Sequence, residues 1–428
     1  MPALLMSEFA CGCGPKIWRM IEVDVTMGKS EVVFAGIPFK NPLLLSAADH
    51  THSLNQLKKH IDNGAGGIIP KTLCQFQYML DQKEIARYMA FDANHRPAEG
   101  KIGSDYTFMS RGGMMSEEEG WMDVLEEIAK YAAKADANII GSLWGEPEWM
   151  AEKAREMEKI GLKGVELDIG CPHLDGIHAN EKVDKSVGNF LARCQGVKQV
   201  VDACNIPVIV KMSADTGGEW PPIIEYLKEI GVGGVTVHNR FVGFMPDIET
   251  YKPFLDTWSG VGGPWVLPIT CYRISAVRKA APDMPIIATN GAYCGEDIAR
   301  FLLAGASIVQ CASSPMLKGS RWVGNTIKEF DAYLERKCIS AMDLIGKATD
   351  VALTRDQLFE IKRQAVVDHE KCTKCGICVD RCPWEALSIV ESKTTVKLKE
   401  KGVHEGCIGC GMCTVVCPTK AIKLEDLT

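Results

Sequence analysis

Eighteen cysteines stand in this 428-residue chain, and eight of them fall within the 46 residues from Cys372 to Cys417. They form two matched runs, CTKCGICVDRCP (372–383) and CIGCGMCTVVCP (407–418), each of the form C-x2-C-x2-C-x3-C-P. Spacing this tight lets three thiolates reach three corners of one iron–sulfur cube, and in such paired runs the fourth cysteine serves the other cube. One [4Fe-4S] cluster is therefore expected on Cys372, Cys375, Cys378 and Cys417, and a second on Cys407, Cys410, Cys413 and Cys382. Gly376, Gly409 and Gly411 leave room for the backbone to wrap the metal. Zinc is the competing use of CxxC pairs, but two like runs each closed by Cys-Pro favour the cubes. In a reducing compartment, cysteines clustered this closely are metal ligands before they are disulfides.

A second chemical signature is ELDIGCPH (166–173), which sets Cys171 between a glycine and a proline after a short apolar run. A thiol of ordinary pKa, about 8.5, is mostly protonated at neutral pH yet can cycle, which suits a proton donor to carbon. The plainer reading is a small filler at a turn. The choice depends on what lies beside it. Clusters pass electrons singly, so a change in an organic bond needs a group that pairs them. Lys71 closes GGIIPK (66–71) and Lys211 closes PVIVK (207–211). Two ammonium groups at strand ends would suit the polar edge of a flavin. ATNGA (288–292) and QCASS (310–314) bring small residues and backbone amides to two further strand ends, where phosphate is bound in closed barrels. FMN is the expected cofactor, with Gly263 in GGPWVLP free to approach the same phosphate.

These residues require elements that hold them at one mouth. Eight unbroken apolar runs recur along the chain: 42–47, 66–71, 138–144, 164–170, 207–213, 233–239, 285–291 and 307–313. Strands buried on both faces read in this way. Helical patterns such as 148–161 and 295–305 lie between them, so the expected fold is α/β, a (β/α)8 TIM barrel. An open doubly wound sheet is the rival; eight regular units and no early GxGxxG favour closure. Two excursions, 72–119 and 241–270, leave the C-terminal ends of strands, where long loops form lids and walls. The expected organisation is an N-terminal extension over 1–32, an FMN-binding barrel over 33–336, a helical connector over 337–368 and a small two-cluster ferredoxin-like α+β domain over 369–428. That last domain is too small for a large core and needs its metal.

With these motifs in place, the chain resembles flavin barrels of the dihydroorotate dehydrogenase type, and more closely the catalytic half of dihydropyrimidine dehydrogenases, which also ends in a two-cluster ferredoxin module. The resemblance covers about 33–428, through FAGIPFKNPLLLSA, KTL (71–73), ELDIGCPH, VKMS, GPWVLP, ATNGA and GASIVQCASS. It implies that Cys171 moves a proton to or from substrate carbon. It implies FMN contacts at Ala47, Lys71, Lys211, Gly263, Asn290, Gly291, Ser313 and Ser314. The resemblance implies that several of the positions at Trp144, Asp168, Gly170, Asn239, Arg240 and Asn290 hold the substrate ring. Asp168 and Glu146, beside Trp144, could bind an amine or hydrogen-bond loops, Arg240 could clamp a carboxylate or carbonyl or pair at the surface, and His173 could tune Cys171 or cap its loop. Asp168 replaces an asparagine, Gly170 a serine, Arg240 follows the retained Asn239, and Asn290-Gly291 stands for paired glycines. An aspartate cannot give and take the hydrogen bonds of an asparagine, so these changes move the expected substrate away from uracil or thymine themselves. The implied reaction is reduction, or reversible oxidation, of a C–C double bond in a small cyclic, pyrimidine-like or related substrate. Oxidation of the dihydroorotate type is an alternative, as is an electron-transfer subunit with an inactive barrel. Transfer-RNA dihydrouridine synthases share the GCP loop and a VHGR-like strand end, but this chain has a ferredoxin in place of their RNA-binding tail.

Bulk properties limit the partners. Net charge is −7 with Lys and Arg dispersed, the chain is 46% hydrophobic, and no apolar run approaches a membrane span. Neither nucleic acid nor membrane is an expected partner, and a cytoplasmic location is expected. No pyridine-nucleotide fingerprint is visible, so an NAD(P)H-oxidising flavoprotein subunit or other donor is expected to feed the clusters. A homo-oligomer is compatible with the sequence. Cys11, Cys13, His50 and His52 carry no assigned role.

Overall fold

The computed structural model describes residues 3–8, 18–23, 28–100, 102–170, 194–214, 220–400 and 403–427. Two compact units divide at residue 350: Met1–Asp350 and Val351–Thr428.

Eight parallel strands of the first unit close on themselves. They are β1 (Leu43–Leu45), β2 (Gly67–Ile68), β3 (Asn138–Trp144), β4 (Gly164–Leu167), β5 (Val208–Lys211), β6 (Gly234–Thr236), β7 (Ile286–Thr289) and β8 (Ile308–Cys311). Each pairs with its neighbours in chain order, and β8 returns to β1. Each strand falls within one of the apolar runs, and nearly every strand residue is buried. Helices then cover the outside with one apolar stripe each. Trp121–Lys134, for example, buries Trp121, Leu125, Ile128 and Ala132 at helical spacing. Ala3–Glu8 and Trp18–Val23 form a separate antiparallel pair.

The two excursions build one structure together. Arg87–Phe91 and Thr107–Arg111 come from the first, Phe241–Gly243 and Ser259–Gly262 from the second. They join as a four-stranded antiparallel sheet through the pairing of Thr107–Arg111 with Ser259–Gly262. Backbone groups leaving a barrel face need partners, and here each loop supplies the other's.

The stretch expected as a connector is divided. Residues 337–350 belong to the first unit and 351–368 to the second. Its last part is not helical: Arg363–Val367 is a strand paired antiparallel with Ile422–Asp426. The second unit also contains the hairpin Leu387–Val390 with Lys393–Val396 and the short helices Ile377–Asp380 and Met412–Val416. Its small core is Ala365, Cys378, Leu387, Cys413 and Ile422. Among the described residues no helix is long and apolar enough to cross a membrane.

Candidate functional site

A cleft of about 1000 Å³ opens at the C-terminal ends of the barrel strands. Its floor is charged because polar side chains break the apolar runs near their ends. Lys211, the last residue of β5, is paired with Glu166 of β4 at 3.1 Å, with side-chain exposures of 6% and 0%. Glu166 also accepts from Thr236 Oγ1 of β6 at 2.6 Å and from Gln310 Nε2 of β8 at 2.8 Å. Gln310 in turn accepts at Oε1 from the Ser46 hydroxyl at 2.9 Å. Side chains from three other strands thus converge on the one buried carboxylate of β4, which is tolerable only because its lone pairs are filled.

Lys71 lies just beyond β2, with its N–H on Thr51 O and its carbonyl held by the Trp121 indole. Its ammonium meets Asp49 Oδ1 at 2.9 Å. Burial works to raise the Asp49 carboxyl, but the Lys71 charge and hydrogen bonds from Lys71 and Tyr88 outweigh it and hold it below the usual carboxylate range. Tyr88 belongs to the excursion sheet, so that sheet is tied to the barrel mouth.

Across the cleft, Asn239 Nδ2 donates to Asp168 Oδ1 at 2.8 Å, and Arg240 N donates to Asn239 Oδ1. Burial pushes the Asp168 carboxyl up, with the Lys211 charge opposing it. Arg240 Nη1 donates to the carbonyl and hydroxyl of Ser110 on the excursion sheet. His238 anchors this strand end through Thr270 Oγ1 at 2.9 Å, and burial depresses its pKa to about 3, so the ring is neutral.

The β7 and β8 ends form the remaining wall. Gly291 has φ +120°, and a Cβ there would lie 2.7 Å from Leu267 Cα; only glycine fits. Ser314 Oγ donates to Ala292 O, and the Tyr106 hydroxyl contacts both Ser313 and Ser314. Asn290 Nδ2 is buried without a partner in the same wall. An orphaned amide donor beside a glycine cradle and two lysines suits an oxygen-rich, anionic group. The donor set therefore fits FMN.

Of the expected flavin residues, Ala47, Lys71, Lys211, Asn290, Gly291 and Ser313 line the cleft. Ser314 lies one hydrogen bond behind, and Gly263 follows the wall residue Gly262. Asp168, Asn239 and Arg240 also line it. Trp144 and Glu146 do not. The short strand Leu73–Cys74 pairs alongside Leu143–Trp144, and the Trp144 ring packs among Cys74, Met79 and Met114. Glu146 is exposed at the start of helix Pro147–Lys159. His50 is buried against His60, with ring centroids 5.1 Å apart, and His52 is exposed; neither lines the cleft. Cys171 and His173, like Cys11 and Cys13, lie outside the described residues.

Sequence reasoning missed Asp49, Glu166 and Gln310. The last two carried a signal, a carboxylate in VELDI and an amide in IVQC, each interrupting a run that should be apolar. Asp49, in AADHTH, carried little.

In the second unit, Cys372, Cys375, Cys378 and Cys417 line one cavity of about 310 Å³. Cys382, Cys407, Cys410 and Cys413 line another of about 300 Å³. Backbone N–H groups already address the sulfurs: Ala386 to Cys382 and Ala421 to Cys417 at 3.3 Å, and Ala365 to Cys407 at 3.4 Å. Gly409 has φ +73°, and a Cβ there would meet Arg363 Cβ at 2.5 Å. Among the described residues no three Cys, His, Asp or Glu side chains converge as on a single metal ion. Thiols spread around a cavity fit a cube better than a lone zinc.

Comparison with known proteins agrees with both units. A family model described as dihydroorotate dehydrogenase matches residues 30–334, and one described as a 4Fe-4S dicluster domain matches 371–422. Among curated relatives, the catalytic subunit of dihydroorotate dehydrogenase B (NAD(+)) of Methanocaldococcus jannaschii is 27% identical over 319 residues, 73% of this chain and 96% of that one. The Pyrococcus furiosus counterpart is 28% identical over 319 residues, 74% of this chain and 97% of that one. The NAD-dependent dihydropyrimidine dehydrogenase subunit PreA of Escherichia coli is 25% identical over 375 residues, 82% of this chain and 84% of that one. With its barrel matched nearly end to end, the chain belongs to the dihydroorotate dehydrogenase family and is a flavin-dependent oxidoreductase with an iron–sulfur domain.

Proposed function

We propose that the chain is the catalytic subunit of an enzyme that reduces, or reversibly oxidises, a C–C double bond in a small cyclic substrate, pyrimidine-like or related. FMN would be held by Ala47, Lys71, Lys211, Gly263, Asn290, Gly291, Ser313 and Ser314, and would supply two-electron hydride chemistry at the substrate carbon. Two [4Fe-4S] clusters on the eight cysteines would carry electrons from a partner that oxidises NAD(P)H, since this sequence has no nucleotide fingerprint of its own.

The protein's own groups divide the remaining work. Glu166 and Asp49 fix the two lysines at the polar edge of the cleft. Asn239 holds one oxygen of Asp168, and the other oxygen accepts a ring N–H of the substrate. Arg240, braced by Ser110, faces a substrate carbonyl or carboxylate, and His173 tunes the Cys171 thiol. Cys171 follows Asp168 by three residues; its Sγ gives a proton to the carbon beside the one that receives hydride, and takes it back in the reverse direction. The observation that carries this reading is the meeting of Lys71, Lys211, Asp168 and Asn239 at one cleft.

The test is anaerobic purification with visible spectra, then reoxidation of the reduced flavin by pyrimidines, cyclic enones, orotate and unsaturated heteroaromatics. Rapid reoxidation by one ring class is expected; no response to any of them refutes the reading. Cys171→Ser should lower substrate turnover by at least about 100-fold, the usual weight of a positioned acid, while flavin reduction by the donor stays intact. Equal loss of both contradicts the proton-donor role. Turnover of NADPH by the isolated chain as fast as with a donor subunit refutes the partner.

A further inference from the structure

The iron–sulfur unit is a near-duplicate of itself, which makes each difference between its halves informative. One half runs through Arg363–Val367, Ile377–Asp380 and Leu387–Val390; the other through Lys393–Val396, Met412–Val416 and Ile422–Asp426. Each half gives three cysteines to its own cavity and one to the other.

Corresponding positions around the two cavities hold different chemistry. Thr394, buried on the first strand of its half, lies with Oγ1 3.3 Å from Cys372 Sγ. Its counterpart Ala365 offers Cys407 a backbone N–H and no side-chain donor. Two residues beyond the last cysteine of each run stand Thr419 and Trp384. Thr419 Oγ1 lies 3.7 Å from Cys417 Sγ, whereas Trp384 walls the second cavity with its ring. Between the first two cysteines of each run, Lys374 walls the first cavity where the second run has Gly409. Lys399 lies 4.4 Å over the Trp384 ring but is not among the walls of that cavity. Set against the one backbone N–H at Cys407 and the lysine behind the Trp384 ring, the two side-chain hydroxyls and the wall lysine leave the Cys372 site, on balance, the more polar and the more positive.

A metal-bound thiolate has no proton to give, so the two threonine hydroxyls are donors. Adding one electron to a cluster adds one negative charge. Hydrogen bonds to sulfur and nearby positive charge favour that electron, and an apolar wall opposes it. We infer that the two sites are unequal. The cluster at Cys372, Cys375, Cys378 and Cys417 has the higher reduction potential and holds the first electron to enter; the site at Cys382, Cys407, Cys410 and Cys413 fills second. The reductant is the donor subunit, or dithionite in vitro, and each cluster takes one electron. This inference rests on the two-cluster reading above.

The experiment is a redox titration of the anaerobic, cluster-loaded full chain, followed by the paramagnetic signals of the reduced clusters, with iron determined in parallel. Two one-electron steps are expected. Thr394→Val keeps the side-chain shape and removes the hydroxyl. It should lower the first step alone, changing the partition of a single electron between the sites on the order of tenfold, the weight of one hydrogen bond to a charged acceptor. Lys374→Gly sits at φ 58°, where glycine is at ease. It should also lower the first step, more at low salt than at high. Movement of the second step, or no movement under either variant, overturns the ordering while two steps and iron for two clusters leave the two-cluster reading standing. A single step with iron for one cluster removes that reading and the ordering together.

Discussion

Replacing Glu166 by glutamine tests the buried floor of the cleft. The carboxylate has no exposed side-chain surface and fills three hydrogen bonds, from Lys211, Thr236 and Gln310. A glutamine offers one acceptor oxygen where the carboxylate offered two. Turned toward Lys211, that oxygen leaves the amide NH2 facing Gln310, itself a donor; turned the other way, the NH2 faces the ammonium. Either arrangement strands a buried donor, at about 1–3 kcal/mol, and takes the Glu166 charge away from Lys211. Breaking a buried ion pair from one side costs about 3–5 kcal/mol, and the upper part of that range applies because Lys211 has 6% side-chain exposure. Thermal and denaturant unfolding of the barrel by tryptophan fluorescence would read the loss, with flavin affinity measured in parallel. The double variant Glu166→Leu/Lys211→Met should recover only the share of the loss that comes from the uncompensated ammonium, because the buried Thr236 hydroxyl and Gln310 amide still lose their acceptor, and it should not recover flavin binding. Glu166→Gln within about 0.5 kcal/mol of the parent, with unchanged flavin affinity, would refute the argument.

Asp168→Asn should stabilise the protein at neutral pH. Burial, the largest influence, holds the folded-state pKa above its ordinary value, so the native state binds this proton more tightly than the unfolded chain. Stability from the group is then full below about 3.9 and is lost as pH rises through the folded value. Unfolding midpoints should show the gain near about pH 7 and its disappearance near about pH 4. Gly291→Ala should cost at least about 1–3 kcal/mol from its φ of +120°, and the overlap with Leu267 should weaken flavin binding, measured by fluorescence titration. Cys417→Ser should strip iron from the site formed with Cys372, Cys375 and Cys378 before the other, as read by iron analysis and the loss of one paramagnetic signal.

How much of this was legible beforehand follows from how far apart the deciding residues lie. The eight strands are where the apolar runs are, because a strand buried on both faces must be apolar along its length, and that is a local property. The cysteine runs are local as well: three ligands within seven residues announce themselves by spacing, and the gathering of Cys417 with Cys372 follows from the repeat. Trp144 is different. Its strand position was readable, but its burial among Cys74, Met79 and Met114 depends on the pairing of Leu73–Cys74, two residues too short to signal a strand. Arg363–Val367 likewise becomes a strand through Ile422–Asp426, far along the chain.

Composition, run lengths and motif spacing alone therefore determined a closed barrel, an iron–sulfur unit, and the strand ends that line one cleft. Tertiary structure alone decided that Glu166 meets Lys211, Thr236 and Gln310, that two separate excursions share one sheet, and that Asp168 rests on Asn239. Closing the barrel brings together side chains 45 to 144 positions apart. No local pattern encodes such a contact, because its energy exists only once both partners have left water for the same interior.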